Sequence, residues 1–544
     1  MGGSMRPRGF KRIYATGYRV GEVPLPRLGD TKRDLSIRRR ATVDHCFRVP
    51  MQSYLGGGVA GCALPMPCAD FMPNCHAGVV RRFGGALPPV ETRLLREFRS
   101  FVRIWLRTHL PALRDDELLG FEEWVRQTHY SDSRRNELRR AFQDNPVLSA
   151  RHYRCKSFPK RETYATWKYQ RLINSRSDAF KAHVGPFIAS VEHAVFATDG
   201  PIGKYFCKKI PVDQRSDFIY SRLHSPGALY QSNDFESFES SFTSPFLRAC
   251  ELQLYTHMAR NLGADTQRVV THLHRALASD NHCTFKRSSV KVDGCRMSGD
   301  MCTSLGNGFS NLMLWLFFAA RAGIHVDGVV EGDDGIFRCS HLDGSSAVLD
   351  VKEFGKLGFR AKCKTSSSLG HAGFCKMFFA DGSRDNVADP AYRIASSSWT
   401  HSALMLGGRR TLDALLRAKG FSLLAMLPAC PILTAYAKYL LRAVGPGKLL
   451  YSGQGGRKDY WEHEMLTNST GPRPVEQCSR IIMEDVFGVS TATQLSIENY
   501  LDGLDKLQDL THPDIINLMR HEWFDYSDKY SWTYESTDPD LFFS

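Results

Sequence analysis

Two adjacent carboxylates, Asp333 and Asp334, stand directly after Val329, Val330, Glu331 and Gly332. A β-branched pair that runs into glycine and two acids reads as the tip of a β-hairpin, since glycine tolerates positive φ and Asp hydrogen-bonds its own backbone in turns. Such a tip is suited to holding a divalent metal ion. In isolation the same residues describe an ordinary polar turn, so the segments upstream carry the argument further.

Asp234 ends a short strand-like run, Leu229-Tyr230-Gln231-Ser232-Asn233, and is followed by Phe235-Glu236-Ser237-Phe238-Glu239. A carboxylate at a strand end can face a shared cleft. Further on, the run from Cys295 to Asn307 is small and Gly-containing, and it precedes Asn311-Leu312-Met313-Leu314-Trp315-Leu316-Phe317-Phe318. That apolar stretch predicts a helix packed under a sheet, with the loop fixed above it.

Taken in this order, the three segments resemble motifs A, B and C of the palm domain of RNA-dependent RNA polymerases from positive-strand RNA viruses. The Ser-Gly-x-x-x-Thr-x-x-x-Asn pattern is complete at Ser298, Gly299, Thr303 and Asn307, and Cys295-Arg296-Met297-Ser298-Gly299-Asp300-Met301 is similar to tombusvirus-like polymerases. Segment A departs from that group by carrying Glu239 where Asp is usual; the extra methylene extends the carboxylate's reach. The resemblance implies an α+β right-hand fold, whose palm is an antiparallel sheet backed by helices between fingers and thumb. Periodicity alone supports only mixed α and β content.

The implied reaction is in-line attack of an RNA 3′-hydroxyl on the α-phosphate of a ribonucleoside triphosphate, with two ions of Mg²⁺ or Mn²⁺ as cofactors. Mg²⁺ takes hard oxygen ligands, one or two carboxylates plus phosphates and water, so Asp234, Asp333 and Asp334 form a sufficient metal-binding and catalytic set. By the resemblance, Glu239 and Asn307 lie in a polar network that senses the ribose 2′-hydroxyl, and Ser298, Gly299 and Thr303 help position template and nucleotide.

Two further segments follow in the family order. Residues 342–359 carry Val348, Leu349, Val351, Phe354 and Leu357, a spacing that predicts an amphipathic helix ending at Gly358. The run Arg360-Ala361-Lys362-Cys363-Lys364 then offers Lys362 or Lys364 as the motif D general acid, and Phe374, Cys375 and Lys376 resemble the motif E hairpin that supports a primer end.

Upstream, residues 151–181 are strongly basic and interleaved with Tyr153, Phe158, Tyr164, Trp167 and Tyr169. Phosphate and RNA backbone both demand such charge, and aromatic neighbours can stack on bases. Lys160, Lys168, Arg171 and Arg176 are similar to motif F, which binds the nucleotide triphosphate.

The whole chain agrees with a polyanionic partner: 71 Lys and Arg against 57 Asp and Glu leave a formal charge of +14. With 42% apolar residues over 544 positions, it can bury cores for two or three domains, which argues against extensive disorder. Fifteen scattered cysteines read as reduced thiols of a cytosolic protein. His45, Cys46, Cys62, Cys68, Cys75 and His76 form one cluster of possible zinc ligands, but it lacks a compact Cys-x-x-Cys pair, and buried thiols are the favoured reading. The opening Met1-Gly2-Gly3-Ser4-Met5 reads as a linker ahead of a start at Met5. Neither apolar stretch, 312–320 or 420–437, suits a membrane span; the second is broken by Pro428 and Pro431.

The expected organisation is an N-terminal extension (1–90), fingers (91–215), palm with motif A (216–256), a fingers insertion (257–297), palm with motifs B to E (298–380), and thumb with tail (381–544). The Gly-rich run Ser452-Gly453-Gln454-Gly455-Gly456-Arg457-Lys458 reads as a surface loop, with an initiation loop as the alternative. The acidic, aromatic C-terminus reads as packed on the thumb, with an RNA-mimicking tail as the alternative. Expected partners are RNA template and product, ribonucleoside triphosphates and viral or host replication factors. The expected location is host cytoplasm, at membrane-associated replication sites. Two rival readings remain at this level: a reverse transcriptase, and a non-catalytic basic RNA-binding protein.

Overall fold

The computed structural model describes residues 11–15, 35–39, 49–69, 72–286, 288–383, 385–451 and 471–533. In chain order its strands are β1 (Lys11–Ala15), β2 (Leu35–Arg39), β3 (Val49–Tyr54), β4 (Cys155–Pro159), β5 (Leu172–Arg176), β6 (Tyr230–Phe235) and β7 (Asp280–Thr284). They continue with β8 (Ser288–Asp293), β9 (His325–Glu331), β10 (Asp334–Ser340), β11 (Ser346–Ala347), β12 (Ala361–Ser366), β13 (Trp399–Thr400) and β14 (Ser531–Thr533). Helices fill most of the remainder, so the class is α+β.

The central sheet runs β9-β10-β6-β12, all antiparallel, with β11 on the far end of β10. Its two faces follow from the period-two alternation of a strand. Phe337, Gln231 and Asn233 face the helix Thr303–Ala322, where Trp315 stacks on Phe337 with ring centroids 4.0 Å apart. Burying rings of this size contributes on the order of 2–3 kcal/mol each. Phe235, Phe238, Phe242, Phe246 and Phe359 extend this core as contacting aromatic rings. The opposite face carries Ile336 and Tyr230 under Leu369 and Phe374, and it opens at Asp234.

A second sheet, β2-β8-β7-β4-β5, carries the basic stretch. The following helix, Asp178–Phe196, starts where Ser177 caps it by accepting from the Phe180 N–H at 3.2 Å. A third sheet, β13-β3-β1-β14, joins strands from both ends of the chain. β1 and β3 thus lie in one sheet and β2, between them in the chain, in another, which no local pattern announces.

Three sequence expectations change. The helix predicted over 342–359 is only a 3-10 segment, Val351–Leu357, ending at Gly358 with φ +90°. Leu342 and Val348 are exposed, so the apolar residues do not share a face, and Ser346–Ala347 pair with β10 instead. Motif A's strand runs one residue past Asp234, to Phe235. The helix expected from Asn311 begins at Thr303, which puts Thr303 and Asn307 in its first two turns.

Of the C-terminus, residues 525–533 pack against N-terminal segments: Tyr526 is buried and its hydroxyl donates to the Met66 carbonyl, while β14 pairs with β1. Asp525 and Asp528 are exposed; residues 534–544 lie outside the described residues, as do the Gly-rich 452–458 run and the opening pentapeptide. No helix among the described residues is long and apolar enough to cross a membrane.

Candidate active site

The hairpin predicted from Gly332-Asp333-Asp334 is present. Glu331 pairs with Asp334, leaving a two-residue turn in which Gly332 alone has positive φ, +61°, the pattern of a type II′ turn. In the register of β10 with β6, Gly335 lies opposite Asn233, so Asp334 is the next residue along toward Asp234 on the other face. Asp234 is paired in turn with Lys362 on β12. One row across the open end of the sheet therefore reads Asp334, Asp234, Lys362, with Asp333 at the turn beside it. All four side chains are solvent-exposed.

The turn is held from beneath. Asn311, fully buried in the helix Thr303–Ala322, directs its Nδ2 at the carbonyl oxygens of Gly332 (3.5 Å), Asp333 (3.1 Å) and Asp334 (3.3 Å). Asn233 Nδ2 donates to the Asp333 carbonyl as well, at 3.1 Å. Three carbonyls converging on one amide require its NH₂ end rather than its oxygen to face them. Neither asparagine was singled out from sequence as a site residue. The available signal was a buried polar side chain inside an otherwise apolar helix, which must find a partner.

The electrostatics suit a cation. Crowding by the protein raises the proton affinity of Asp334, with Asp333 and Asp234 adding to it, to a pKa of about 6. Asp333 is raised for the same first reason, with Glu239 and Asp234 contributing. Carboxylates that repel one another into holding protons are a ready site for a divalent ion. No three His, Cys, Asp or Glu side chains among the described residues form a preformed metal cage. The donor set fits Mg²⁺ or Mn²⁺ completed by phosphate and water, not a closed protein site. The zinc candidates do not converge either: Cys62 and Cys75 lie in separate apolar clusters, burial pushes both thiols up to about 12, and His45 and Cys46 lie outside the described residues.

The tip that follows β12 also reaches this site. Phe374 and Met377 exchange two backbone hydrogen bonds of 2.9 Å, and Cys375 and Lys376 between them both have positive φ, 51° and 61°. The tip is a two-residue type I′ turn without glycine, a conformation that costs about 1–2 kcal/mol per residue. The Cys375 thiol and Lys376 ammonium sit by Asp334 and pull its proton affinity back down. Of the two motif D candidates, Lys362 pairs in register with Asp234. Lys364 instead donates to the His371 carbonyl at 2.6 Å and lies over the Phe378 ring.

Motif B is tied together by polar contacts around the buried side chains of Arg296 and Asp300. Gly299, at φ +125°, lies so close to the Asn174 carbonyl that a Cβ would sit 3.0 Å from it. Asn174 N–H donates to the Ser298 carbonyl at 2.7 Å, tying this loop to β5. Thr303 Oγ1 donates to the Asp300 carbonyl at 2.7 Å and turns the loop into the helix. Asn307 Oδ1 accepts from Arg296 Nε at 3.0 Å, while Arg296 makes a bidentate ion pair with buried Glu251. Glu239 is held by Arg82 at 3.1 Å, and its carbonyl accepts from the Arg296 N–H. The expected Glu239 and Asn307 pair is thus bridged through Arg296 rather than in direct contact. Arg82 comes from a distant segment, and no spacing could have linked it to Glu239.

The motif F residues divide. Lys168 faces the acids: burial, then Lys376 and Arg82, lower its pKa while Asp234 raises it. Lys160 and Arg171 share a partner, Glu162, at 3.0 and 2.6 Å, and the Arg171 charge also lowers the proton affinity of Asp333. Arg176 is a correction. Buried at 3% exposure, it spends its donors on Asp300, Asn281 and the Tyr153 carbonyl, so it holds the fold and is not open to a triphosphate.

Beside β4 lies a cavity of about 1570 Å³, lined among others by Lys156, Phe158, Arg161, Lys181 and His401. Phe158 is 48% exposed, an unusual position for an aromatic side chain and a natural stacking platform.

Carboxylates gathered on a hairpin and its neighbouring strand form a donor set that would suit phosphoryl transfer assisted by a divalent ion. The family model described as viral RNA-dependent RNA polymerase matches residues 234–507, half of the chain, and the chain belongs to that family. Relatives named RNA-directed RNA polymerase include those of Groundnut rosette virus (23% identity over 61% of this chain and 40% of the relative), Panicum mosaic virus (23%; 66% and 37%) and Turnip crinkle virus (24%; 62% and 44%). The chain spans roughly two fifths of the length of these relatives. They are polymerases of tombus-like, positive-strand RNA viruses, as the motif B wording anticipated.

Proposed function

We propose that this chain carries out template-directed synthesis of RNA from ribonucleoside triphosphates, replicating and transcribing a positive-strand viral genome. The observation that carries this reading is the row Asp334, Asp234, Lys362 at the open end of the central sheet, with Asp333 on the turn beside it. In right-hand terms the central sheet is the palm, the basic sheet belongs to the fingers, and the helices after 381 form the thumb.

Asp234 and Asp333, assisted by Asp334, would hold two ions of Mg²⁺ or Mn²⁺. Bound there, the ions would supply activation of the 3′-hydroxyl and charge neutralisation at the departing pyrophosphate. The protein's own groups do the rest. Lys168 and Arg171, whose charges act on Asp234 and Asp333, orient the triphosphate. Lys362 stands where a proton can be given to pyrophosphate. Glu239, held by Arg82, and Asn307, held by Arg296, present polar atoms to the ribose, and the strained Cys375-Lys376 tip supports the priming 3′-end. The basic cavity holds single-stranded template, with Phe158 against its bases. Action in the host cytoplasm, at membrane-associated replication sites, belongs to the same proposal.

The test is incorporation of labelled ribonucleotide on a defined RNA template with Mg²⁺ or Mn²⁺, for the native chain and for an Asp333→Ala, Asp334→Ala double variant. Product that requires template and metal and is lost in the folded variant supports the reading. Equal use of deoxyribonucleotides would favour a reverse transcriptase. RNA binding without synthesis under either metal, with and without primer, would favour a non-catalytic binding protein.

A further inference from the structure

The basic cavity does not end at the sheet that lines it. Arg154, exposed just ahead of β4, lines the main cavity and also two outer concavities of about 380 and 510 Å³. Arg151 is shared by the main cavity and the first of these, Thr284 by the main cavity and the second, and His282 by the two outer ones. The three depressions are therefore one continuous surface along β4 and β7, with none of the three carboxylates Asp234, Asp333 and Asp334 in its lining.

The outer part is almost uniformly positive. Its lining holds the cations Arg38, Arg151, Arg154, Arg248, Arg275 and Lys291 against one acid, Asp280, which Lys291 already pairs at 2.5 Å. With the two lining histidines neutral, six cations and one acid leave an excess of five positive charges. Several of these side chains have structural work: Arg248 donates to the Ala278 carbonyl, and Arg151 to His152. Arg38, Arg154 and Arg275 are exposed, and among the described residues no ion pair or side-chain hydrogen bond holds them. Unpaired arginines around a concave surface cost self-repulsion that a polyanion relieves.

We propose that this outer surface is a second RNA site, which grips the phosphates of single-stranded RNA continuing past the main cavity and is centred on Arg154 with Arg38 and Arg275 on its two arms. It rests on the polymerase reading only in taking RNA as the occupant. Continuity with a cavity whose exposed aromatic ring is Phe158 favours a single strand, because unpaired bases can stack while phosphates track the cations. Contact is to the backbone, so recognition is independent of sequence.

The test compares the native chain with an Arg38→Gln, Arg275→Gln double variant, both of which lie outside the main cavity. Binding of oligouridylate is followed by fluorescence anisotropy across a salt series, using one oligonucleotide of about 6 nucleotides and one of about 20, chosen around single-strand site sizes of about 4–16. Losing two phosphate contacts lowers the slope of log affinity against log salt by about 1.4 for the long RNA, which is about 10-fold or more in affinity near 0.1 M salt. The short RNA is expected to bind both proteins alike. Because both side chains are exposed, the melting temperature should be unchanged, which controls for folding.

An unchanged slope and affinity on the long RNA overturns the proposal. So does an equal loss on both lengths, which is the mark of a diffuse field rather than a contact. Duplex RNA bound as tightly as the single strand of the same length overturns the choice of occupant. Length-dependent binding lost in the variant, in a protein that never incorporates nucleotide, would uphold this surface while sinking the polymerase reading.

Discussion

Asn311→Leu separates the carboxylates from the amide that positions their backbone. Leucine keeps asparagine's branched heavy-atom skeleton with bulkier methyl ends, so no cavity opens, but the donor facing three carbonyls is gone. The Asp333 carbonyl keeps Asn233, whereas those of Gly332 and Asp334 lose this donor. Leaving buried carbonyls unsatisfied costs about 1–3 kcal/mol each, and because the hairpin tip can relax toward solvent the expected loss of stability is near the low end, about 2 kcal/mol. The functional cost is larger. A shift of about 1 Å in groups that must align with the reacting phosphate lowers the rate about 10²-fold. Single-turnover nucleotide addition, with denaturant unfolding in parallel, is the assay. The expected result is a large fall in rate at near-native RNA affinity and a modest fall in stability. A single-turnover rate within about twofold of native in the folded variant refutes the clamp; an Asn311→Ser variant, which retains one donor, should fall between the two and keeps the test open if the leucine variant does not fold.

Three more expectations follow from the same geometry. Arg176→Ala strands buried Asp300 and should cost about 3–5 kcal/mol in denaturant unfolding, whereas Lys168→Ala should leave stability near native and weaken nucleotide binding; native stability in the first would contradict the structural role of Arg176. Because Asp334 holds its proton up to about 6 and must lose it to accept a metal ion, Mn²⁺ affinity should weaken as pH falls through that value and be complete above it. In Asp333→Asn the neighbouring charge is removed and the midpoint should move down, which Mn²⁺ titration by electron paramagnetic resonance reads directly. Lys362→Ala should slow the chemical step by about 10²-fold with little change in nucleotide affinity; Lys364→Ala, whose ammonium is committed to His371 and Phe378, should not, and the opposite ranking in single-turnover assays would reverse the assignment.

Much of the site was legible because its signals are local. The turn at Gly332 needs a residue tolerant of positive φ, the acids follow it directly, and the Ser298 to Asn307 spacing coincides with a loop entering a helix. Motif F was legible as charge but not as roles. Arg176 and Lys168 read alike in a basic run, yet β5's alternation buries one against Asp300, while Lys168 in the preceding loop faces the acids. The choice between Lys362 and Lys364 failed for a related reason: both occupy the same face of β12, and only their neighbours differ.

The sequence by itself determined the family, the candidate metal-binding acids and the α+β character, because each depends on residue type and short spacing. Tertiary structure alone decided that Asp334 and Asp234 stand in one row, that Asn311 and Asn233 hold the turn, that Arg82 reaches Glu239, and that both ends of the chain share one sheet. Those contacts join residues far apart in the chain, and their energies come from register, burial and hydrogen bonds formed only once separate elements have packed.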